Sequence, residues 1–317
     1  MPLMADTTLA PAPAVSSARP AAWVAWLMAC LSSVAFSLAP VVGKAAIDLG
    51  IDPTTLITLR LLITTALLGA TLGLLSPQRL RLDRRSGWVC VVSGLAGGVG
   101  MLMFFASLTR MEASIASMIF SLSPLVALTL LALRGEKFTY RNSIRLALGV
   151  AGVYLLIGPG GQVDWIGVAL AFGAVVAAPL QVLFMQWYLQ DSDPMAVTFY
   201  MVGAMTAAAA GWWLFQGAEW RDPGWQGWLL IGVMAVVSTY LSRLAMFVAV
   251  RGIGGGQVSL LAPLETLLTV FWSMLFLGER LAVWQWVGGG LILLSALLAA
   301  RRMLRARLRQ PEAVIEK

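Results

Sequence analysis

Residues 259–279 read SLLAPLETLLTVFWSMLFLGE. Between Ser259 and the Gly278-Glu279 corner a single charge, Glu265, interrupts an apolar run. About 20 such residues are needed to cross the hydrocarbon core of a bilayer, so this stretch reads as a transmembrane helix. Working outward in both directions gives ten segments of the same kind, at about 23–47, 54–75, 87–109, 112–133, 141–158, 164–190, 194–215, 226–251, 256–277 and 284–301. Turn chemistry separates them: Asp52-Pro53, Ser76-Pro77, Gly158-Pro159-Gly160-Gly161, Asp193-Pro194 and Asp222-Pro223-Gly224.

Composition agrees. Of 317 residues, 59% are hydrophobic and 12% charged, whereas a soluble domain carries about 25% charged residues. The fold expected is an all-α polytopic membrane protein. Cys30 and Cys90 both fall within apolar runs and make poor disulfide candidates. Residues 1–22, rich in Pro, Ala, Ser and Thr, read as a disordered tail. They do not read as a cleaved signal peptide, because the first apolar run starts late and continues for a full span.

The net charge of +7 suggests nucleic acid at first sight, but the distribution of the positive residues has a membrane explanation. With the N-terminus in the cytoplasm, sixteen Lys and Arg lie on that side, among them Arg79, Arg81, Arg84, Arg85 and the basic tail 302–317. Four lie opposite: Lys44, Arg110, Arg221 and Arg280. Under the positive-inside rule both termini are cytoplasmic. Only Arg60 and Arg243 fall inside spans.

The chain also repeats itself. Pro53 and Pro194, each preceded by Asp, open spans two and seven at an offset of 141 residues. Arg110 and Arg251 close spans three and eight at the same offset, and Glu136 and Glu279 follow spans four and nine at an offset of 143. Five spans per copy is an odd number, so the second copy enters the membrane upside down, the arrangement of many secondary transporters. Ten transmembrane helices in two inverted five-helix repeats are therefore expected. A duplication that merely builds a stable bundle is the competing reading.

These landmarks resemble the EamA-type family of the drug/metabolite transporter superfamily. The first copy reads ASMIFSLSPLVALTLLALRGE over 116–136, matching 259–279 in a small-residue run, a proline and a terminal Gly-Glu; Trp284-Gln285-Trp286-Val287-Gly288 follows the second. The likeness covers residues 23–158 and 164–301. It departs from the family's usual Glu-Pro, showing Glu265-Thr266 with the proline displaced to Pro263. The resemblance implies export of an amino acid, another metabolite or a drug-like compound across a bacterial inner membrane. It implies no cofactor. Monomer and homodimer both stay open.

Glu265 is the first candidate for the chemistry, since a carboxylate inside a span is costly unless paired, protonated or facing water. Arg243 is expected to partner it. Each lies eight to nine residues from the cytoplasmic end of its span, on the order of 12–13 Å at 1.5 Å per residue, and equal depth on adjacent antiparallel helices permits an ion pair. A structural salt bridge is the bland alternative. Lys44 and Arg60 form a second cationic pair, either snorkelling to headgroups or acting as an outer gate. Glu136 and Glu279 sit at helix C-termini, where the macrodipole disfavours them, so they are expected to cap the helix that follows.

By the family resemblance, spans one, three, four, six, eight and nine line the cavity. That places Ser33, Ser37, Phe104, Phe105, Ser121, Gln181 and Tyr240 among its candidate walls. The sequence lacks a Walker A motif, which argues against an ATP-driven pump. Without histidine there is no Ser–His dyad and no His-ligated metal. An intramembrane lipid enzyme would need several titratable groups at one depth, and only Glu265 with Arg243 comes near that. A non-transporting receptor or scaffold would need neither a matched repeat nor a buried acid.

Overall fold

The computed structural model describes residues 21–75, 82–133, 140–157, 164–189, 192–217, 220–253, 255–258 and 261–315. All regular structure among them is helical. The elements are α1 (Ala22–Asp48), α2 (Pro53–Leu75), α3 (Arg84–Ser107), α4 (Ala113–Phe120), α5 (Ser123–Leu133), α6 (Tyr140–Ile157), α7 (Trp165–Tyr188), α8 (Pro194–Phe215), α9 (Gly224–Ala235), α10 (Ser242–Ile253), α11 (Gly255–Val258), α12 (Ala262–Trp272) and α13 (Val283–Ile315). Stretches of π-helix, Val236–Leu241 and Ser273–Leu277, join α9 to α10 and extend α12. Among the described residues, seven helical stretches are long and apolar enough to span a bilayer; shorter apolar helices fill 142–157, 262–277 and 283–299.

The polarity of the bundle is reversed relative to a water-soluble protein. Leu74, Phe215, Trp225 and Val283 are exposed, while Ser32, Ser33, Thr64, Ser93, Thr239, Ser242 and Ser273 are buried. Hydroxyls that would be costly against lipid tails are turned inward, where Ser32, Ser33, Thr64, Thr239 and Ser242 find partners.

Aspartates start the helices. Asp193 accepts from the backbone N–H of Met195 (2.9 Å) and Ala196 (3.2 Å), and Asp52 from that of Thr55 (2.9 Å). The Asp-Pro landmarks of the repeat are thus N-caps, with proline in the first turn, where its missing N–H costs nothing. Asp164 caps α7 through Ile166 N–H at 2.8 Å and takes a 2.6 Å bond from Arg110. That bond, foremost, holds its carboxyl below the ordinary aspartate value.

Helix contacts between the halves are reciprocal. In one direction α1 packs against α10 and α12; in the other, α7 packs against α3 and the α4–α5 pair. The α2–α8 and α6–α13 contacts each join one element to its counterpart in the other copy. Glycines set the closest approaches. On α3, a Cβ at Gly97 would fall 2.4 Å from Gln181 Cδ on α7, and one at Gly94 would fall 2.5 Å from the Met201 carbonyl on α8. Gly94 and Gly98, read as a small-residue contact surface, therefore seat α3 against α8. Of the similarly spaced pair on α2, Gly69 meets Phe199 and Gly73 meets nothing within 4 Å.

Three segments expected to be continuous are broken or deformed. The span over 112–133 breaks between Phe120 and Ser123, because Pro124 has no N–H to offer the Phe120 carbonyl. Ser123 Oγ supplies that bond at 2.6 Å. The span over 256–277 contains α11, ending at Val258, and α12, beginning at Ala262 after a 3₁₀ residue at Leu261; residues 259–260 lie outside the described ones. The span over 226–251 carries the Val236–Leu241 π-turn, whose Thr239 Oγ1 bonds the Met234 carbonyl five residues back at 2.9 Å. At the other end of the chain, α13 runs on past 301 to Ile315, so the expected tail starts as a continuation of the helix. Glu136, the Ser76-Pro77 and Gly158–Gly161 turns and nearly all of the 1–22 tail lie outside the described residues.

Candidate functional site

The start of α12 at Ala262 places Glu265 in the first turn of that helix rather than in the middle of one. Free N–H groups and the positive end of the macrodipole favour an anion at such a position by about 0.3–1 kcal/mol, and more where it is partly buried. The carboxylate is half-buried and accepts one side-chain bond, from Ser33 Oγ on α1 at 3.2 Å. Around it α1 and α12 are stitched together. Thr269 Oγ1 donates to the Ser37 carbonyl (2.9 Å), one turn before the Pro40 kink, and Trp272 Nε1 donates to Ser37 Oγ (3.2 Å). Next to Glu265, Thr266 shares a 2.6 Å hydroxyl–hydroxyl bond with Ser121, at the break between α4 and α5. The two helix breaks therefore meet.

The expected ion pair between Arg243 and Glu265 does not form. Equal depth is a necessary condition for it, but α1 stands between α10 and α12. Consecutive serines of α1 look to the two sides: Ser32 Oγ donates to the Ser242 carbonyl of α10 at 2.9 Å, and Ser33 reaches Glu265.

Lys44 and Arg60 do not pair either. Lys44 Nζ bonds Asp48 at 3.1 Å and the Leu108 carbonyl at 2.9 Å, tying α1 to the C-terminal end of α3. Arg60 does not snorkel. It is 3% exposed, its Nε donates to Thr239 Oγ1 at 2.8 Å, and its guanidinium carbon lies 5.5 Å from the centroid of the Phe105 ring. Arg60 thereby reaches the helical turn that carries Arg243, four residues beyond Thr239.

The remaining candidates divide. Ser37 and Ser121 belong to the α1–α4–α12 network around Glu265. Tyr240, in the π-turn beside Thr239, bonds Thr71 of α2 at 2.5 Å. Phe104 packs edge-on against Phe105 (5.6 Å) and Phe120 (5.3 Å), backing the ring on which Arg60 rests. Gln181 lies elsewhere, pressed on Gly97 with its Nε2 3.6 Å from the Met205 sulfur, at the junction of α3, α7 and α8.

Sequence reasoning missed Thr239, Trp272 and Gly43. Gly43 is what lets Phe105 approach: a Cβ there would stand 2.3 Å from Phe105 Cε1 and 3.3 Å from Met234 Cε. Gly43→Ala is therefore expected to lower stability by roughly 2 kcal/mol through overpacking against a buried ring. Unfolding in detergent measures this, and Phe105→Leu should restore most of the loss in the Gly43→Ala background while being destabilising alone. Additive losses would remove the contact as the cause.

Glu279 makes a second built site, of a structural kind. It is 8% exposed and accepts from Ala113 N–H (2.7 Å), Ser114 N–H (3.0 Å) and Ser114 Oγ (2.5 Å). The capping role expected of it is real, but the helix capped is α4 in the other half, not α13, which follows. Gln285 serves α13, its Oε1 accepting from Ala282 N–H at 2.8 Å. Beside this cap, burial and then the Glu279 charge raise the Glu112 carboxyl above its ordinary value, while Lys44 pulls it back.

The EamA-like transporter family model matches residues 23–158 and again 165–301, one match for each half. The chain belongs to this family. An uncharacterized transporter of Archaeoglobus fulgidus is 24% identical over 200 residues, 62% of this chain and 71% of the relative. A protein known from a crystal structure superposes with a TM-score of 0.61 at 18% identity, covering 90% of this chain and 98% of that one, a likeness of fold. EamA membership carries with it the drug/metabolite transporter superfamily, a small-molecule substrate and a bilayer environment. Within this EamA chain, the two matched segments are joined by hydrogen bonds at the Glu265 network and at the Glu279 cap.

Proposed function

We propose that the chain is a secondary transporter that exports a small organic solute across a bacterial inner membrane by alternating access. In this reading it has ten spans in two inverted five-span halves, 23–158 and 164–301, with both termini cytoplasmic. The observation that carries the reading is the position of Glu265. An ionisable group stands at the opening of a broken helix, with a single side-chain partner, where the breaks of the two halves meet. Broken helices at the interface of repeats are where secondary transporters bind solute and coupling ion. Reciprocal packing between the halves supports the same reading, because two states of equal architecture arise when each half can take the other's conformation. The transporter name of the archaeal relative is consistent with it.

Glu265 then binds a cationic group of the solute or the coupling proton, with Ser33, Ser37 and Ser121 around it. Lys44, which ties α1 to the end of α3, serves as the outer latch. Purified protein in proteoliposomes, screened over amino acids, other metabolites and cationic drugs, should move one of these classes under a pH gradient or a membrane potential. Flux should exceed that of protein-free vesicles. No flux for any class under either gradient overturns the reading. Direction is read by loading the solute inside or outside vesicles of known protein orientation, and a strictly inward flux overturns export alone.

A further inference from the structure

Among the described residues, the guanidiniums of Arg60 and Arg243 are buried without a carboxylate partner. Arg60 is 97% buried by its 3% exposure, and its Nη1 has no hydrogen-bond partner. Arg243 lies one turn beyond Thr239, the residue that anchors Arg60, and its buried Nε has no partner either. Arg60 thus reaches the helical turn that carries Arg243, and two like charges on one turn repel. Among the described residues, Asp48 pairs with Lys44, Asp164 with Arg110, Glu279 caps the start of α4, and Glu265 accepts from Ser33 on the other side of α1.

Taking one guanidinium out of water is costly, and a second like charge beside it adds to that cost. Unpaired donors add the penalty of each unmade bond. The offsets among the described residues are partial: hydrogen bonding to Thr239 satisfies one N–H, and the Phe105 face, seated against Gly43, steadies one plane. An anion between the two arginines would relieve the repulsion, the desolvation and the missing bonds together. The planar fork of a guanidinium matches the two oxygens of a carboxylate, in bonds about twice as strong as neutral ones.

We propose that Arg60 and Arg243 form a subsite for the carboxylate of the transported solute, so that the carried class is organic carboxylates. The solute's acid group lies between the guanidiniums, with Thr239 and Phe105 as positioning residues for Arg60. This rests on the transporter reading for the word transported, but not for the binding.

The test is therefore of binding. Protein purified in detergent is heated with acetate, lactate, benzoate and citrate, with the amide of each acid, and with inorganic phosphate and sulfate. At least one carboxylate should raise the unfolding midpoint in a saturable way while its amide does not. In Arg60→Lys and Arg243→Lys, which keep the charge but lose the fork, half-saturation should need roughly tenfold more acid, the equivalent of one lost charged bond. Thr239→Val, which removes only the anchor of Arg60, should weaken binding in the same direction. Stabilisation by no acid, equal stabilisation by acid and amide, a response confined to phosphate or sulfate, or unchanged half-saturation in both lysine variants overturns the proposal. Acid binding without flux in proteoliposomes would defeat the transporter reading and leave the subsite standing. Flux of solutes that bear no acid group, untouched by the lysine variants, would do the opposite.

Discussion

Glu279→Ala should cost this protein about 3–4 kcal/mol of stability, the largest loss expected from any single side chain described above. The carboxylate satisfies two backbone N–H groups and one hydroxyl at the start of α4. Charge-assisted bonds to a helix N-terminus are about twice as strong as neutral ones, and the buried donors left behind each add a desolvation penalty of about 1–3 kcal/mol. The position is 8% exposed, so little water can take the carboxylate's place. Glu279→Gln keeps an acceptor oxygen for one donor and loses the charge, so it should fall between wild type and alanine. Unfolding by SDS or heat in detergent measures both. Because the bonds run from the second half to the first, the loss should appear as separation of the halves before their helices melt, visible as a drop in tertiary signal ahead of helical signal. An alanine variant within about 1 kcal/mol of wild type would show that the cap is not a structural tie.

The reason this tie could not be placed from sequence is instructive. Glu279 stands at a C-terminus, where a carboxylate is out of place unless it reaches free N–H groups, and that much is local physics. Which N–H groups it reaches is a matter of packing between distant segments, and α4 is 165 residues away. The same division runs through the molecule. The apolar helices, their Asp-Pro starts and the duplicated landmarks were legible because each depends on a few adjacent residues. Glu265 was legible as the residue of interest because ionisable groups are rare inside spans.

Its partner was not legible, and the error has a geometric cause. Depth along an axis can be counted from sequence, but the angular position of a helix in a bundle cannot. Arg243 and Glu265 pass the test of depth and fail the test of neighbourhood, because α1 lies between their helices. Arg60 was placed with Lys44 because both lie near the same loop. Burial against Phe105 and Thr239 draws it to Arg243 instead. The duplication held a signal that could have found this. If α7 of the second half packs on α3 of the first, the matching contact puts α1 on the span formed by α9 and α10, and α1 is then interposed. Taken as a statement about contacts and not only about span count, the repeat carries information on angular order.

Glu265→Gln should separate transport from stability in the sense opposite to Glu279. The amide keeps an oxygen that can accept from Ser33 and fills nearly the same volume, so neither packing nor hydrogen bonding gives a reason for the bundle to loosen. Removing the charge forfeits the favourable position at the start of α12, worth about 0.3–1 kcal/mol, and also spares the desolvation of a carboxylate. These terms oppose each other, and the unfolding midpoint should stay within about 1 kcal/mol of wild type. Function should not be spared. A residue that binds a cationic group or a coupling proton makes a charged interaction of about 1.5–3 kcal/mol, and each 1.4 kcal/mol is tenfold in binding. Proteoliposome flux should therefore fall by roughly tenfold to a hundredfold, and any dependence of flux on the proton gradient should vanish. Glu265→Asp, which keeps the charge one methylene short, should recover part of the flux. If the glutamine variant carries solute at the wild-type rate with unchanged dependence on pH, Glu265 is neither the coupling acid nor the seat of a cationic group. Its place at the helix break would then serve only to hold α1 against α12.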